Sequence, residues 1–277
     1  MELPSQAVEI IHHALEEDIG PSDITTSTLV PENSEARALF IAKGNFVLAG
    51  IPFIMEVFRI LDSSISFQTF FNEGTQVKKR DVIAEVFGKT HAILKGERVS
   101  LNILQRLSGI ATITNKYVEK VKGLSTKIFD TRKTTPCYRF MEKYAVRMGG
   151  GNNHRFGLYD GIIIKDNHIE AVGSIKKAIG DLKKTQYLHK IEVEIENLHD
   201  LKEAIVAGAD IVMLDNMSLK DMREAVKIVK GRATIEASGN ITLNNVRKIA
   251  ETGVDFVSVG ALTHSAMAAD IGLNILS

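Results

Sequence analysis

A single cysteine, Cys137, in 277 residues leaves no partner for an intrachain disulfide and no cysteine-rich zinc site. Net charge is equally scarce. The 34 Lys and Arg balance the 34 Asp and Glu, so no overall field draws the chain to nucleic acid or an anionic membrane. Any basic site has to be local. No apolar run approaches the roughly 18 residues of a membrane span. The first residues, MELPSQAVEIIHHALEED, are acidic and amphipathic, where a secretory leader would be basic and then apolar. These absences lead to the expectation of a soluble, cytoplasmic protein with no nucleic-acid or membrane partner. At 44% hydrophobic and 25% charged residues, the chain can build one large core, or a large and a small one.

What is present falls into two textures. Ser5 to Glu17 spaces its apolar residues as a helix does, and Gly20-Pro21 stops it. From Glu35 to Leu94 the strand-like runs ALFIA, FVLAG, SISFQTFF and VIAEVFG are parted by turn residues and by one helix, Pro52 to Leu61. A long helix then spans about Gly96 to Val121. After Gly123, short strands are expected to end at Asp130, Lys165, Glu194, Leu214, Ala237 and Val259, with helices such as Leu198–Ala207 and Leu219–Val229 between them. Strand–helix alternation at that spacing implies parallel strands. The expected fold is α/β: an incomplete α/β barrel with an N-terminal α+β sandwich domain. The division is placed at residues 1–123 and 124–277, with the C-terminal tail free to return to the first domain.

Polar residues follow every one of these strands. The first gives Asp130, Thr131, Arg132 and Lys133, the second Lys165 and Asp166, the next two Glu194 and Asp215-Asn216, and the fifth carries Glu236 near its end. The last two are followed by Ser238-Gly239-Asn240 and Val259-Gly260-Ala261, with His264 close behind. In β/α barrels the loops after the strands meet at one mouth, where the chemistry is done. Each residue alone has a plainer explanation. A lysine after a strand is usually solvated, Asp215-Asn216 is a common turn pair, and Gly149 to Gly151 can simply end a helix. His154 can be a satisfied core histidine, and alternation can turn Glu192, Glu194 and Glu196 to one wet face. Those explanations would have to coincide at the same end of every strand. Read together, Glu194 and Asp215 suit Mg²⁺, which takes a few carboxylates beside water and phosphate. The small residues of the last two loops suit a phosphate. Arg132, Lys133, His154, Arg155 and Lys165 are too many cations for one phosphate, and arginine forks suit a carboxylate. Two anionic partners are implied, one phosphorylated and one a carboxylate. A Schiff-base aldolase using Lys165 and a non-catalytic metabolite sensor stay open on these grounds.

The segments DTRKTTP, EKYAVRMGGGNNHRFGLYDGIIIKDNH, IEVEIE, ADIVMLDN, IEASGNIT and VDFVSVGALTHS together resemble quinolinate phosphoribosyltransferase, also called nicotinate-nucleotide pyrophosphorylase (carboxylating). ALEEDIGPSDITT and GERVSLNILQRLSGIAT add to the resemblance, which covers nearly the whole chain. It implies an α/β sandwich joined to an incomplete barrel, and a Mg²⁺-dependent transfer of phosphoribose from phosphoribosyl pyrophosphate to quinolinate, with loss of CO₂, in NAD biosynthesis. It further implies a homodimer, with Arg98 completing the neighbour's site. Arg98, Arg132, His154, Arg155 and Lys165 would then meet quinolinate, with Arg139 in support. Lys133 and Lys165 would lie near pyrophosphate. Glu194 and Asp215 would meet the ribose and Mg²⁺. Ser238, Gly239, Asn240, Gly260 and His264 would hold the 5-phosphate. Lys133, Lys165, Glu194 and Asp215 are the expected catalytic residues. Cys137-Tyr138 and Pro21-Ser22 depart from the commoner family pattern. A paralogue associated with molybdenum transport shares many of these motifs and remains an alternative.

Overall fold

The computed structural model describes residues 3–185 and 188–276. The chain forms two compact units. The first holds the residues up to Asn115, then Thr134–Gly150 and the chain from Thr263 on; the second holds Lys116–Lys133 and Gly151–Leu262. Besides the C-terminal tail, the segment Thr134–Gly150 belongs to the first unit.

The first unit opens with α1 (Ser5–Ile19) and α2 (Ile24–Leu29). There follow β1 (Glu35–Ala42), β2 (Phe46–Val47), α3 (Ile51–Leu61), β3 (Ser66–Thr69), β4 (Gln76–Val77) and β5 (Val82–Lys89). Next comes α4 (Thr90–Lys120), which begins directly after β5 and earlier than the expected Gly96. Alternation along β1 buries Ala38, Phe40 and Ala42, and Phe40 meets Phe58 of α3 edge-on with ring centroids 6.1 Å apart. The returning tail forms β12 (Ile271–Leu276), which pairs antiparallel with β1 in a sheet ordered β12-β1-β5-β3. The start of α3 is held by Glu73, whose carboxylate accepts the Gly50 N–H at 2.9 Å, the Ile51 N–H at 2.8 Å and the Tyr144 hydroxyl at 2.7 Å. Burial raises the pKa of Glu73, and these hydrogen bonds oppose that rise.

Helix α5 (Arg139–Met148) also belongs to the first unit. Its Glu142 is fully buried and pairs with Arg106 of α4 at 2.7 Å. The same carboxylate accepts the Thr135 N–H at 3.1 Å and the Thr135 hydroxyl at 2.8 Å. Arg106 also donates to the carbonyls of Thr263 and Ala266. One buried ion pair thus ties four stretches of chain that are remote in sequence.

The second unit runs β6 (Lys127–Phe129), β7 (Ile162–Ile164), α6 (Asp166–Val172), α7 (Ile175–Lys183), β8 (Ile191–Ile195) and α8 (Leu198–Ala207). It continues with β9 (Ile211–Asp215), α9 (Leu219–Val229), β10 (Thr234–Ser238), α10 (Val246–Ala250) and β11 (Phe256–Ser258), and α11 (Ala261–His264) begins in this unit and ends in the first. Local chemistry sets these limits. Asn197 and Ser218 accept backbone N–H groups at the starts of α8 and α9, and Gly208 ends α8 with φ 84°. The helix expected to begin near Thr242 starts at Val246. Thr242–Asn245 forms a turn instead, closed by the Thr242 N–H on Asn245 Oδ1 at 2.7 Å. The six strands are all parallel in the order β6-β11-β10-β9-β8-β7. The first strand lies beside the last, as in a barrel, and β6 and β7 leave the closure incomplete.

Candidate active site

Strand register decides which side chains share a face, because paired residues of parallel strands point the same way. Glu192 pairs with Ile211, Glu194 with Met213, Met213 with Glu236, Asp215 with Ser238, and Glu236 with Phe256. One face therefore carries Phe129, Glu192, Glu194, Asp215, Glu236, Ser238 and Ser258. The other carries Ile128, Val193, Ile195, Val212, Leu214, Ile235, Ala237 and Val257, all buried. The apolar face belongs beneath the helices. The polar face is the interior of the barrel.

The segment GGGNNHR fills the seam between β6 and β7. Gly149 is a position only glycine fits, since a Cβ there would lie 2.4 Å from the Ala111 carbonyl oxygen. Two residues beyond Gly150, Asn152 bridges the free edge of β6: its N–H donates to Ile128 O at 2.8 Å, and its carbonyl accepts the Asp130 N–H at 3.0 Å. Asp130, fully buried, then accepts the Asn153 side-chain amide and the His154 N–H, each at 2.7 Å. A buried carboxylate thus holds the backbone that presents His154 and Arg155.

His154 points into the interior. Its Nε2 lies 3.1 Å from Glu236 Oε2 and 3.4 Å from Glu192 Oε2, and its Nδ1 accepts the Arg155 N–H at 2.9 Å. Burial opposes charge on the imidazole, but hydrogen bonds and charge from Glu192 and Glu236 outweigh it and raise its pKa. The Arg155 N–H works against that rise, because a doubly protonated ring would face donor to donor. In either state Nε2 carries a proton directed at the carboxylates. Burial, together with the nearby Glu192, pushes Glu236 up to about 7. Among the described residues His154, Glu192 and Glu236 bring ligand atoms within 4.8 Å of one another. The proton on Nε2 occupies the place a metal ion would need, so this trio does not suit one.

Around this core stand the cations. Arg155 donates from Nη1 to Gly161 O at 2.8 Å, and its buried Nε has no hydrogen-bond partner. Burial lowers its pKa, and the neighbouring Arg132 lowers it further. A buried guanidinium N–H without a partner, with a second cation nearby, suits an anion. Lys165 ends β7 with its N–H held by His168 Nδ1 at 3.0 Å, while its Nζ forms an ion pair with Glu194. Glu194 and Asp215 sit on adjacent strands of the inner face, and Asp215 accepts the Asn216 amide at 2.9 Å. These are the partly exposed carboxylates that could hold a Mg²⁺ ion beside water and phosphate oxygens, with Glu194 already paired to Lys165. The next loop is tight. Gly239 has φ 92°, a Cβ there would meet Asn216 Oδ1 at 2.3 Å, and Asn240 donates to that oxygen at 2.9 Å. The Val259 N–H is taken by Phe129 O at 2.9 Å and its side chain is buried, leaving Gly260 and Ala261 as the less buried part of that loop.

Thr131 and Lys133 close the β6 end, where the Lys133 N–H donates to Thr131 Oγ1 at 3.1 Å. Arg98, Arg139 and His264 belong to the first unit. Arg98 is exposed on α4, Arg139 begins α5 with Nε on Thr134 Oγ1 at 3.0 Å, and His264 ends α11 with Nδ1 2.6 Å from Ser265 Oγ. A cavity of about 600 Å³ opens at the N-terminal ends of the strands and reaches His154, Arg155 and Glu192 from that side. The sequence assigns no site role to Glu192 or His168, and it places Asp130 and Glu236 among the polar strand-end residues without naming their partners. Only the pairing of acidic residues at even spacing in IEVEIE hinted at Glu192.

A β/α barrel with cations and carboxylates facing one another across its interior defines an enzyme of anionic, phosphate-bearing substrates. Two family models cover nearly all of the sequence: "Quinolinate phosphoribosyl transferase, N-terminal domain" over residues 23–108 and "Quinolinate phosphoribosyl transferase, C-terminal domain" over residues 110–274. The chain belongs to the quinolinate phosphoribosyl transferase family. It is 45% identical to the probable nicotinate-nucleotide pyrophosphorylase [carboxylating] of Bacillus subtilis over 98% of this chain and 93% of that one. It is 39% identical to quinolinate phosphoribosyltransferase [decarboxylating] 1b of Nicotiana tabacum over 96% of this chain and 81% of that protein. The crystal structure of NadC from Streptococcus pyogenes superposes with a TM-score of 0.95 at 42% identity, covering 100% of this chain and 99% of the other.

Proposed function

We propose that this protein transfers phosphoribose from phosphoribosyl pyrophosphate to quinolinate and releases CO₂, giving nicotinate mononucleotide and pyrophosphate for NAD synthesis. The observation that carries the reading is Arg155, a partly buried guanidinium whose Nε has no hydrogen-bond partner, in a barrel that also carries the Lys165–Glu194 pair at its strand ends. Arg132 and Arg155 bind the pyridine carboxylates, with His154 holding the segment between them and the barrel interior. Lys133 and Lys165 face the pyrophosphate. Glu194 and Asp215 orient the ribose hydroxyls, and the 238–240 and 259–261 loops, with His264, hold the 5-phosphate. Mg²⁺, held by Glu194 and Asp215, would neutralise charge on the departing pyrophosphate. The ring nitrogen bonds to the anomeric carbon as the bond to pyrophosphate breaks. The pyridinium then accepts the electron pair of the adjacent carboxylate's C–C bond, CO₂ leaves, and that carbon takes up a proton. The protein contributes position and electrostatics and needs no covalent intermediate.

Arg98 completes the site of a second copy in a homodimer, and the enzyme works in the cytoplasm. Among the described residues, no helix is long and apolar enough to cross a membrane. Incubation with quinolinate, phosphoribosyl pyrophosphate and Mg²⁺ is expected to yield CO₂ and nicotinate mononucleotide in equal amounts, and to yield neither without metal. Binding of both ligands without pyrophosphate release would instead mark a sensor, and borohydride trapping of a carbonyl compound on Lys165 would mark an aldolase.

A further inference from the structure

Building on that reaction, we propose that Glu192 and Glu236 are positioning residues for it. Through the Nε2–H of His154 they set the orientation of the His154–Arg155 segment that faces the pyridine substrate. The two carboxylates come from different strands, β8 and β10, and meet the ring at 3.4 and 3.1 Å. Glu192 is 4% exposed and Glu236 0%, and each keeps one oxygen, Oε1, without a hydrogen-bond partner. Leaving such atoms buried costs about 1–3 kcal/mol each. Apolar side chains of the same size would pack a barrel interior at least as stably. Packing therefore does not account for the pair.

What they do hold is the ring. Phe129 and Phe256, themselves 4.5 Å apart, lie together on one side of the imidazole at centroid distances of 6.5 and 6.2 Å, and the cavity at the strand N-termini also reaches the ring, so packing alone does not fix it. The carboxylates decide which nitrogen faces the interior. The other nitrogen then receives the Arg155 N–H, 2.9 Å away, and the ring becomes a rigid link from the barrel core to Arg155. Asp130 fixes the backbone on the near side of His154, and this link fixes it on the far side.

The test uses the full-length protein with Glu236→Met, Glu236→Gln and the double variant Glu192→Met/Glu236→Met. Methionine removes the acceptor at similar volume, and glutamine restores one. With ¹⁵N-histidine labelling, and His154→Gln to identify the signal, the native protein is expected to show a protected, downfield Nε2–H resonance. That resonance should vanish in the double variant and persist in Glu236→Gln. In turnover, Glu236→Met should raise KM for quinolinate about tenfold, the worth of one good hydrogen bond. KM for phosphoribosyl pyrophosphate and kcat should stay within about twofold, and Glu236→Gln should recover most of the loss. An unchanged His154 signal in the double variant overturns the proposal. So does an equal rise in both KM values with a lowered melting temperature in Glu236→Met. Should the double variant not fold, the same two readouts on Glu236→Met decide. If the native enzyme does not turn over quinolinate, the proposed reaction fails, while the resonance still reports whether the carboxylates hold the ring.

Discussion

Arg155 occupies an awkward position for a cation, since burial and Arg132 both press it toward its neutral form. An anion bound there relieves both effects, which makes the residue a carboxylate receptor in waiting. Arg155→Ala should raise KM for quinolinate about 10- to 100-fold, the worth of a charge-assisted hydrogen bond, and leave KM for phosphoribosyl pyrophosphate nearly unchanged. Steady-state kinetics with each substrate varied in turn checks this, and equal losses would remove Arg155 from the carboxylate site. Glu236 makes a second statement at this scale. Its carboxyl ionises near 4.5 when unfolded and at about 7 when folded. The folded state therefore keeps a proton that the unfolded chain has lost, and stability is full below the lower value and falls as pH rises between the two. His154, whose pKa is also raised, acts in the same direction at higher pH. Glu236→Gln should remove Glu236's own part of that decline, so that stability falls less steeply with rising pH than in the native protein. Urea titrations at several pH values would show it, and parallel curves for the two proteins would contradict it.

Elements carry the next layer. The helices of the second unit were legible to the residue at Leu198–Ala207 and Leu219–Val229 because their caps are local. A side-chain oxygen one position ahead of the helix, and a glycine just past the end of the first, do the work. The start of α4 was placed too late because Thr90 to Lys95 carries no capping signal, and the strand before it passes straight into helix. The turn at Thr242–Asn245 was missed for a similar reason, since SGNIT reads as a helix entry until Asn245 closes the chain on Thr242. Ties between elements were not legible at all. Glu142 and Arg106 lie far apart in sequence, yet their pair joins α4, α5, the Thr135 loop and the chain after α11. Glu142→Ala leaves a guanidinium without its buried partner and should cost about 3–5 kcal/mol. A drop in denaturation midpoint far short of that would show the pair to be dispensable.

At the scale of the molecule, the proposed contribution of Arg98 to the site of a second copy leads to a complementation experiment. Arg98→Ala and Lys165→Ala should each be inactive alone. Mixed dimers should recover part of the activity, because one of their two sites keeps both residues intact. No recovery in dimers confirmed to be mixed would rule out a contribution from Arg98 across the interface. The barrel itself was readable as six strand–helix units, with strand ends within a residue or so of their places. Its division from the first unit was not. The sequence leaves the tail that forms β12 free to return, but Thr134–Gly150 also leaves the barrel stretch and joins the N-terminal unit through contacts no local pattern announces.

Sequence by itself determined most of the elements, the alternation along the parallel strands and the family. All three depend on short-range periodicity, capping chemistry or motifs of consecutive residues. Tertiary structure alone decided the inside of the barrel. Alternation in IEVEIE says that Glu192 and Glu194 share a side, but only the pairing of β8 with β9 and β10 turns that side inward. There Glu192 becomes a buried partner of Glu236 and His154, and Glu194 becomes the partner of Lys165. Which face is wet is a property of the closed sheet, and no single strand contains it.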